Sequence, residues 1–309
     1  MLFNKKLIHF RAAYLIVVIF FLQVAFLRAQ PEEFSAENCH PQLFKVNKPD
    51  NKRFDLSGMV HWNQTLYGLA DKPWNTWLYE LDLNEEDSSF YPSQSIPVDY
   101  NRRPDFEAVD RLDSCFYVAD ERATQVIKVV VGKDTVTSEM LGLEWDTDFS
   151  GWGNAGIEGL AVNKQDGVIY IAKERDPARL FRVLPKDKKV KEFVLEKEIS
   201  NEDVSDMKIE NGYLYLLNRA KYRIMKFSLD TRKHIATFDY SAVLHANNQK
   251  FYSGARYPMA EALLMDNDRI WIGLDNNGRD FNEKNPYIKN AGLSEDDPVI
   301  VRFNRPMDF

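Results

Sequence analysis

Hydrophobic and polar positions fall into one figure that this chain writes five times. Each copy opens on a small or acidic residue followed by apolar positions: Ser57-Gly58-Met59-Val60, Glu107-Ala108-Val109-Asp110, Glu158-Gly159-Leu160-Ala161, Ser205-Asp206-Met207-Lys208 and Glu261-Ala262-Leu263-Leu264. A short polar turn follows, then an aromatic-rich apolar run ending in polar residues, as in Phe116 to Glu121 or Ile169 to Glu174. A further apolar run comes next in every copy. The copies start 50, 51, 47 and 56 residues apart. Short strands repeated at such a period predict an all-β propeller, because one small sheet cannot bury both its faces and must stack on its neighbours.

Each unit accommodates four strands. In the second they are predicted at Glu107 to Arg111, Cys115 to Asp120, Thr124 to Val131 and Thr135 to Leu141. Turns between first and second strands (Leu112-Asp113-Ser114, Glu210-Asn211-Gly212) have hairpin composition. The long connections, 142–156, 239–260 and 276–298, all fall at the opposite end of the strands, which makes that face the place to look for a site. Five units from Ser57 use the chain to its last residues, and the fifth lacks an evident fourth strand. The alternation Gln42-Leu43-Phe44-Lys45-Val46 supplies one, closing a ring of five four-stranded blades and removing an exposed edge. Six blades are the alternative, if the lead-in or the insertion before Glu261 forms an extra one.

Residues 1–29 stand apart: Lys5, Lys6 and Arg11 precede an apolar stretch from Ala12 to Leu27, and Leu27-Arg28-Ala29 offers a small residue before Gln30. This reads as a secretory signal peptide, with an uncleaved membrane anchor as the alternative. Residues 30–40 form a lead-in and 41–309 the propeller, secreted or held in the periplasm or cell envelope. Aromatics at 13% and a net charge of −7 argue against disorder and leave no basic stripe for nucleic acid. Two cysteines, Cys39 and Cys115, allow at most one bridge, and the histidines show no zinc spacing.

First strands line a propeller's channel, so the repeat places Glu107, Glu158 and Glu261 around one mouth, with Asp206 one residue out of phase. Converging carboxylates raise each other's pKa unless a cation intervenes, and Ca2+, or less favourably Mg2+, takes oxygen ligands of this kind. The ends of the second strands bring Asp120, Arg122, Lys173, Arg175, Asn218, Arg219, Asp275 and Asn276 to the same region as candidate ligand-binding residues for a small anion or an envelope partner. The plainer reading pairs the three glutamates with Arg122, Lys173, Arg175 or Arg219 as structural ties between blades. Trp145, Trp152, Tyr252 and Tyr257 lie in the long connections as loop anchors or an apolar wall. The glycines after Ser57 and Glu158 serve close packing near the axis. No Ser-His-Asp order, phosphate-cradling glycine loop or nucleotide fingerprint is present.

The succession Phe106-Glu107-Ala108-Val109 with Ala119-Asp120-Glu121-Arg122, Gly156-Ile157-Glu158-Gly159 with Lys173-Glu174-Arg175-Asp176-Pro177, Asp203-Val204-Ser205-Asp206 and Ala260-Glu261-Ala262 resembles the SdiA-regulated family of exported bacterial propellers. It is also similar to the related propellers with phytase-like, esterase-like activity. The resemblance implies a calcium-compatible propeller whose acidic repeat residues bind metal or serve phosphoester hydrolysis. Asp206 departs from it, standing where the family has glycine. Two functions are thereby expected: a binding module with an acidic site at the channel mouth, and, as the alternative, a metal-dependent phosphoester or ester hydrolase.

Overall fold

The computed structural model describes residues 30–49, 52–100, 102–148, 151–152, 155–184, 186–254, 259–289, 291, 293 and 297–309. Residues Glu33–Phe309 form one compact unit. The signal-peptide reading falls outside the described residues.

Two strands, β1 (Glu32–Ser35) and β2 (Gln42–Val46), precede the repeats. Repeat one folds as β3 (Leu56–Trp62), β4 (Thr65–Ala70), β5 (Trp77–Asn84) and β6 (Ser89–Pro97), and repeat two as β7 (Phe106–Leu112), β8 (Cys115–Asp120), β9 (Gln125–Val131) and β10 (Val136–Met140). After the two-residue β11 (Glu144–Trp145), repeat three is β12 (Ile157–Val162), β13 (Ile169–Lys173), β14 (Arg179–Val183) and β15 (Lys189–Glu192). Repeat four is β16 (Val204–Glu210), β17 (Tyr213–Asn218), β18 (Arg223–Ser228) and β19 (His234–Asp239). Repeat five is β20 (Ala260–Met265), β21 (Arg269–Leu274) and β22 (Val299–Asn304). The insertions around β20 and β21 carry the short helices α1 (Ser241–Leu244) and α2 (Pro286–Lys289).

Within each repeat the strands pair antiparallel in chain order. β2 pairs antiparallel with β22, Gln42 opposite Arg302, and its end meets β6 in parallel register at Lys45 and Ser89. One sheet of eight strands therefore runs from β20 through β2 to β3.

The apolar runs read in the sequence put an apolar face on each side of every sheet, and those faces meet between successive repeats. Val60 and Leu69 pack with Val109 and Val118; Ala119 and Val126 with Leu160 and Ile171. Ala172 and Leu180 pack with Met207 and Leu216; Leu217 and Phe238 with Leu263 and Val301. Leu264 and Ile300 of repeat five then pack with Leu56 and Leu81 of repeat one. The fold is all-β and propeller-type, with first strands innermost: β3 neighbours β7, β7 neighbours β12, β12 neighbours β16, β16 neighbours β20, and β20 neighbours β3.

Close approach of these inner strands explains the small residues after the repeat's first position. A Cβ on Gly58 would lie 3.0 Å from the Val109 nitrogen, and one on Gly159 would lie 3.2 Å from the Asp206 carbonyl carbon. Cys39 and Cys115 are both free, so the single possible bridge is not formed; Cys39 is buried with Ala36 and Tyr240, and Cys115 packs on the core between repeats two and three. Among the described residues no helix is long and apolar enough to cross a membrane.

Candidate functional site

Every inner strand carries one bulge, and it falls at the same place in each repeat. Register shifts occur between Leu56 and Gly58, Phe106 and Ala108, Ile157 and Gly159, Val204 and Asp206, and Ala260 and Ala262. The bulged residues are Ser57, Glu107, Glu158, Ser205 and Glu261, the first letter of the repeated figure. A bulge leaves its residue out of the ladder and re-aims its side chain. Ser57 and Ser205 turn to the next repeat and donate 2.7 Å hydrogen bonds to the carbonyls of Phe106 and Ala260. The three glutamates face a cavity instead.

A second ring lies beside the first. The residues just past the second strands, Asp71, Glu121, Glu174, Arg219 and Asp275, each donate a backbone N–H to the carbonyl of the residue two before the bulge. Those carbonyls belong to Asp55, Asp105, Gly156, Asp203 and Met259, at 2.9–3.1 Å. The backbone thus builds fifteen equivalent positions at one channel mouth, of which ten are acidic and one, Arg219, is basic. Twelve of them, all but Gly156, Asp203 and Ser205, line a cavity of about 320 Å³, with Arg175 and Asn277 completing its wall.

Pairing of these acids is uneven. Arg219, buried to 8% exposure, bridges Glu174, Asp203 (3.0 Å) and Glu261. Burial works against its charge, but Glu261, Asp203 and Glu158 outweigh that and raise its pKa. Arg175 also pairs with Glu174. Asp55 meets Arg53 at 2.5 Å and Lys72 at 2.7 Å, Lys72 meets Asp71 at 2.6 Å, and Arg122 meets Asp105 at 2.6 Å. Glu121 accepts the Gly156 N–H at 2.7 Å; a Cβ on Gly156 would sit 2.5 Å from the Glu121 Cγ, so glycine there makes room for the acid.

Glu107 and Glu158 differ. Both are partly exposed to the cavity, and among the described residues neither carboxyl forms a hydrogen bond or ion pair. Burial, then Asp71 and Glu121, pushes Glu107 well above the usual carboxylate range; burial, then Glu107, does the same to Glu158. Asp275 is raised by burial and by Asp55 and Asp71, and Asp71 is pushed up to about 6 by burial against the pull of Lys72. Isolated buried carboxylates are unfavourable, and several together more so.

Of the residues expected from the sequence, Glu107, Glu158, Glu261, Arg175, Arg219 and Asp275 line the cavity. Asp206 does not join them, because the bulge takes Ser205. Asp206 is fully buried, accepts N–H bonds from Met207 and Leu263 at 2.7 Å, and pairs with Lys208 at 3.1 Å. Lys208 continues to the Val109 carbonyl at 3.1 Å, reaching from repeat four to the inner strand of repeat two.

Asp120 and Asn218 also point elsewhere: each caps its own turn, accepting N–H bonds from Ala123 and Lys221 at 3.0 Å. Asn276 does likewise for Gly278 at 3.0 Å, and Lys173 donates to the Arg175 carbonyl beside the Trp152 ring. Arg122 is engaged with Asp105. The cavity takes the next residue along at these strand ends, which is why Glu121 and Glu174 belong to it. Asp55, just before the first copy of the figure, was legible as part of this acidic mouth, whereas Asp105 was missed; an acid two positions before the repeated Ser or Glu was its signal. Trp145 and Trp152 pack on each other and on Phe181, and Tyr252 stacks on Phe281, as anchors of the long connections. Tyr257 lies outside the described residues.

The SdiA-regulated family profile matches residues 93–272, which include the bulges of repeats two to five. The chain belongs to the SdiA-regulated family. Among solved structures it is similar to the glutaminyl cyclase of Myxococcus xanthus, with a TM-score of 0.56 at 12% identity over 89% of this chain and 99% of that one. Weaker likenesses are to apo AztD from Citrobacter koseri (TM-score 0.33, 10% identity, 60% of this chain, 47% of that one) and to U3-55K (TM-score 0.40, 10% identity, 80% and 67%). The cyclase likeness is one of fold, and it agrees with the propeller packing of this SdiA-regulated protein.

Proposed function

We propose that this chain is a binding module of the cell exterior or envelope, a five-bladed propeller whose last blade takes β2 as its outer strand and whose acidic cup holds a cation. The observation that carries this reading is the state of Glu107 and Glu158: two bulge carboxylates facing one cavity with no bond of their own among the described residues. An external cation would remove both the desolvation and the mutual repulsion that raise their pKa values.

Calcium accepts carboxylate oxygens in flexible geometry, and magnesium demands a tighter octahedron. Among the described residues no three acidic, histidine or cysteine side chains stand together in a metal-binding group. A calcium ion would therefore have to draw carboxylates inward, with the unbonded Glu107 and Glu158 the ones able to move. The outside location rests on the leader expected at residues 1–29.

Phosphoester hydrolysis is the less favoured reading. Nine carboxylates line the cavity against Arg175 and Arg219, both already paired, so an anionic substrate would meet repulsion. Thermal denaturation of the purified protein tests the cation reading. A ligand at a hundredfold its dissociation constant stabilises by about 2.7 kcal/mol. A melting temperature indifferent to calcium, magnesium and organic amines at millimolar concentration would remove the cation site altogether.

A further inference from the structure

We propose that the ligand of the cup is an alkyl polyamine, a flexible chain of methylenes carrying two or more ammonium groups, rather than a bare metal ion. This rests on the cation-binding reading and narrows it.

The cavity, about 320 Å³, is far larger than one ion needs and falls at the lower end of small-molecule sites. Its carboxylates are spread around the mouth instead of converging as a metal group. The molecule already seats one organic cation there: the Arg219 guanidinium lies among Glu174, Asp203 and Glu261. Repeat four is thereby neutralised.

The remaining demand lies elsewhere in the cup, at the unbonded Glu107 and Glu158 in repeats two and three. Glu174, itself only 1% exposed, lines the same cavity and leaves Oε2 without a hydrogen-bond partner. One small ion answers a single point, whereas ammonium groups joined by methylenes answer several, each offering two or three N–H donors to carboxylate oxygens. Met259 gives the wall an apolar, adaptable surface for the methylenes.

The experiment is calorimetric titration of the purified protein with spermidine, with N1,N8-diacetylspermidine and with calcium. Spermidine should bind and raise the melting temperature; the diacetyl compound, which keeps the chain but loses two charges, should bind at least tenfold more weakly. E107Q and E158Q together should weaken spermidine at least tenfold, while E139Q on the outer strand of repeat two should leave it unchanged. Circular dichroism checks that the variants fold, and the acetylated compound tests the claim without any variant. A tenfold excess of calcium should not displace spermidine.

Calcium binding without spermidine binding, or full displacement of spermidine by equimolar calcium, overturns the polyamine and keeps the cation site. Equal loss in E139Q marks general attraction to an acidic protein and also overturns it. Absence of binding by every cation overturns both.

Discussion

Arg219 donates to the carboxylate of Glu261, whereas Glu107 and Glu158, at the same bulge in other repeats, have no such partner among the described residues. Identical positions therefore carry opposite electrostatic roles. Glu261→Gln removes a charged acceptor from a buried guanidinium and should destabilise by about 1.5–3 kcal/mol. Glu107→Gln and Glu158→Gln should instead raise the ligand-free melting temperature at pH 8. Urea denaturation of the three variants checks the sign, and destabilisation in all three would show that every bulge acid is structural.

The pH dependence follows from the raised carboxyls. Glu107, Glu158 and Asp275 are raised by burial first and by neighbouring acids second, and Asp71 is raised to about 6. A folded pKa above the unfolded value means that the folded state binds more protons, so this contribution is present below about pH 4 and lost as pH rises through the folded values. The gap in melting temperature between the Glu107→Gln/Glu158→Gln double variant and the wild type should be small at pH 4.5 and widen towards pH 8. A gap independent of pH would contradict the raised values.

Lys208 joins Asp206 to the Val109 carbonyl of repeat two. Burial pushes Asp206 up to about 7 even with Lys208 pulling the other way. Lys208→Met strands a fully buried acid and should lower stability by about 3–5 kcal/mol at pH 8. Adding Asp206→Asn should recover part of that loss, since an amide oxygen still accepts one of the N–H bonds from Met207 and Leu263. Chemical denaturation of the single and double variants measures the recovery; none at all would mean that Lys208 acts through packing.

Phe44 on β2 packs against Phe90 of repeat one at 5.5 Å and Trp271 of repeat five at 6.2 Å between ring centroids. Phe44→Ala should cost about 3–5 kcal/mol and should release the seam first. Hydrogen exchange then ought to rise in β2, β6 and β22 before it rises in β8 or β17. Uniform exchange across all repeats would mean that β2 does not close the ring.

The sequence by itself determined the repeat, its strands and the acidic character of one mouth. The reason is that apolar runs and their turns are local: Phe116 to Ala119 is a continuous apolar run that ends in a polar turn and pairs with its own neighbours, so β8 was legible residue by residue. The weak alternation at Gln42 to Val46 was legible too as a strand, because Phe44 and Val46 turn inward while their neighbours stay nearer the surface. Tertiary structure decided which acids matter to one another. The repeat aligns Ser205 with the bulge glutamates, but only the slip of the ladder with β17 between Val204 and Asp206 shows that the out-of-phase Asp206 turns away from the mouth to Lys208. Arg219 meets Glu174 and Glu261 across 45 and 42 residues, from repeats three and five. A charge read in sequence has no partner until packing assigns one, and here packing gave Arg219 to one bulge glutamate and left Glu107 and Glu158 facing the cavity.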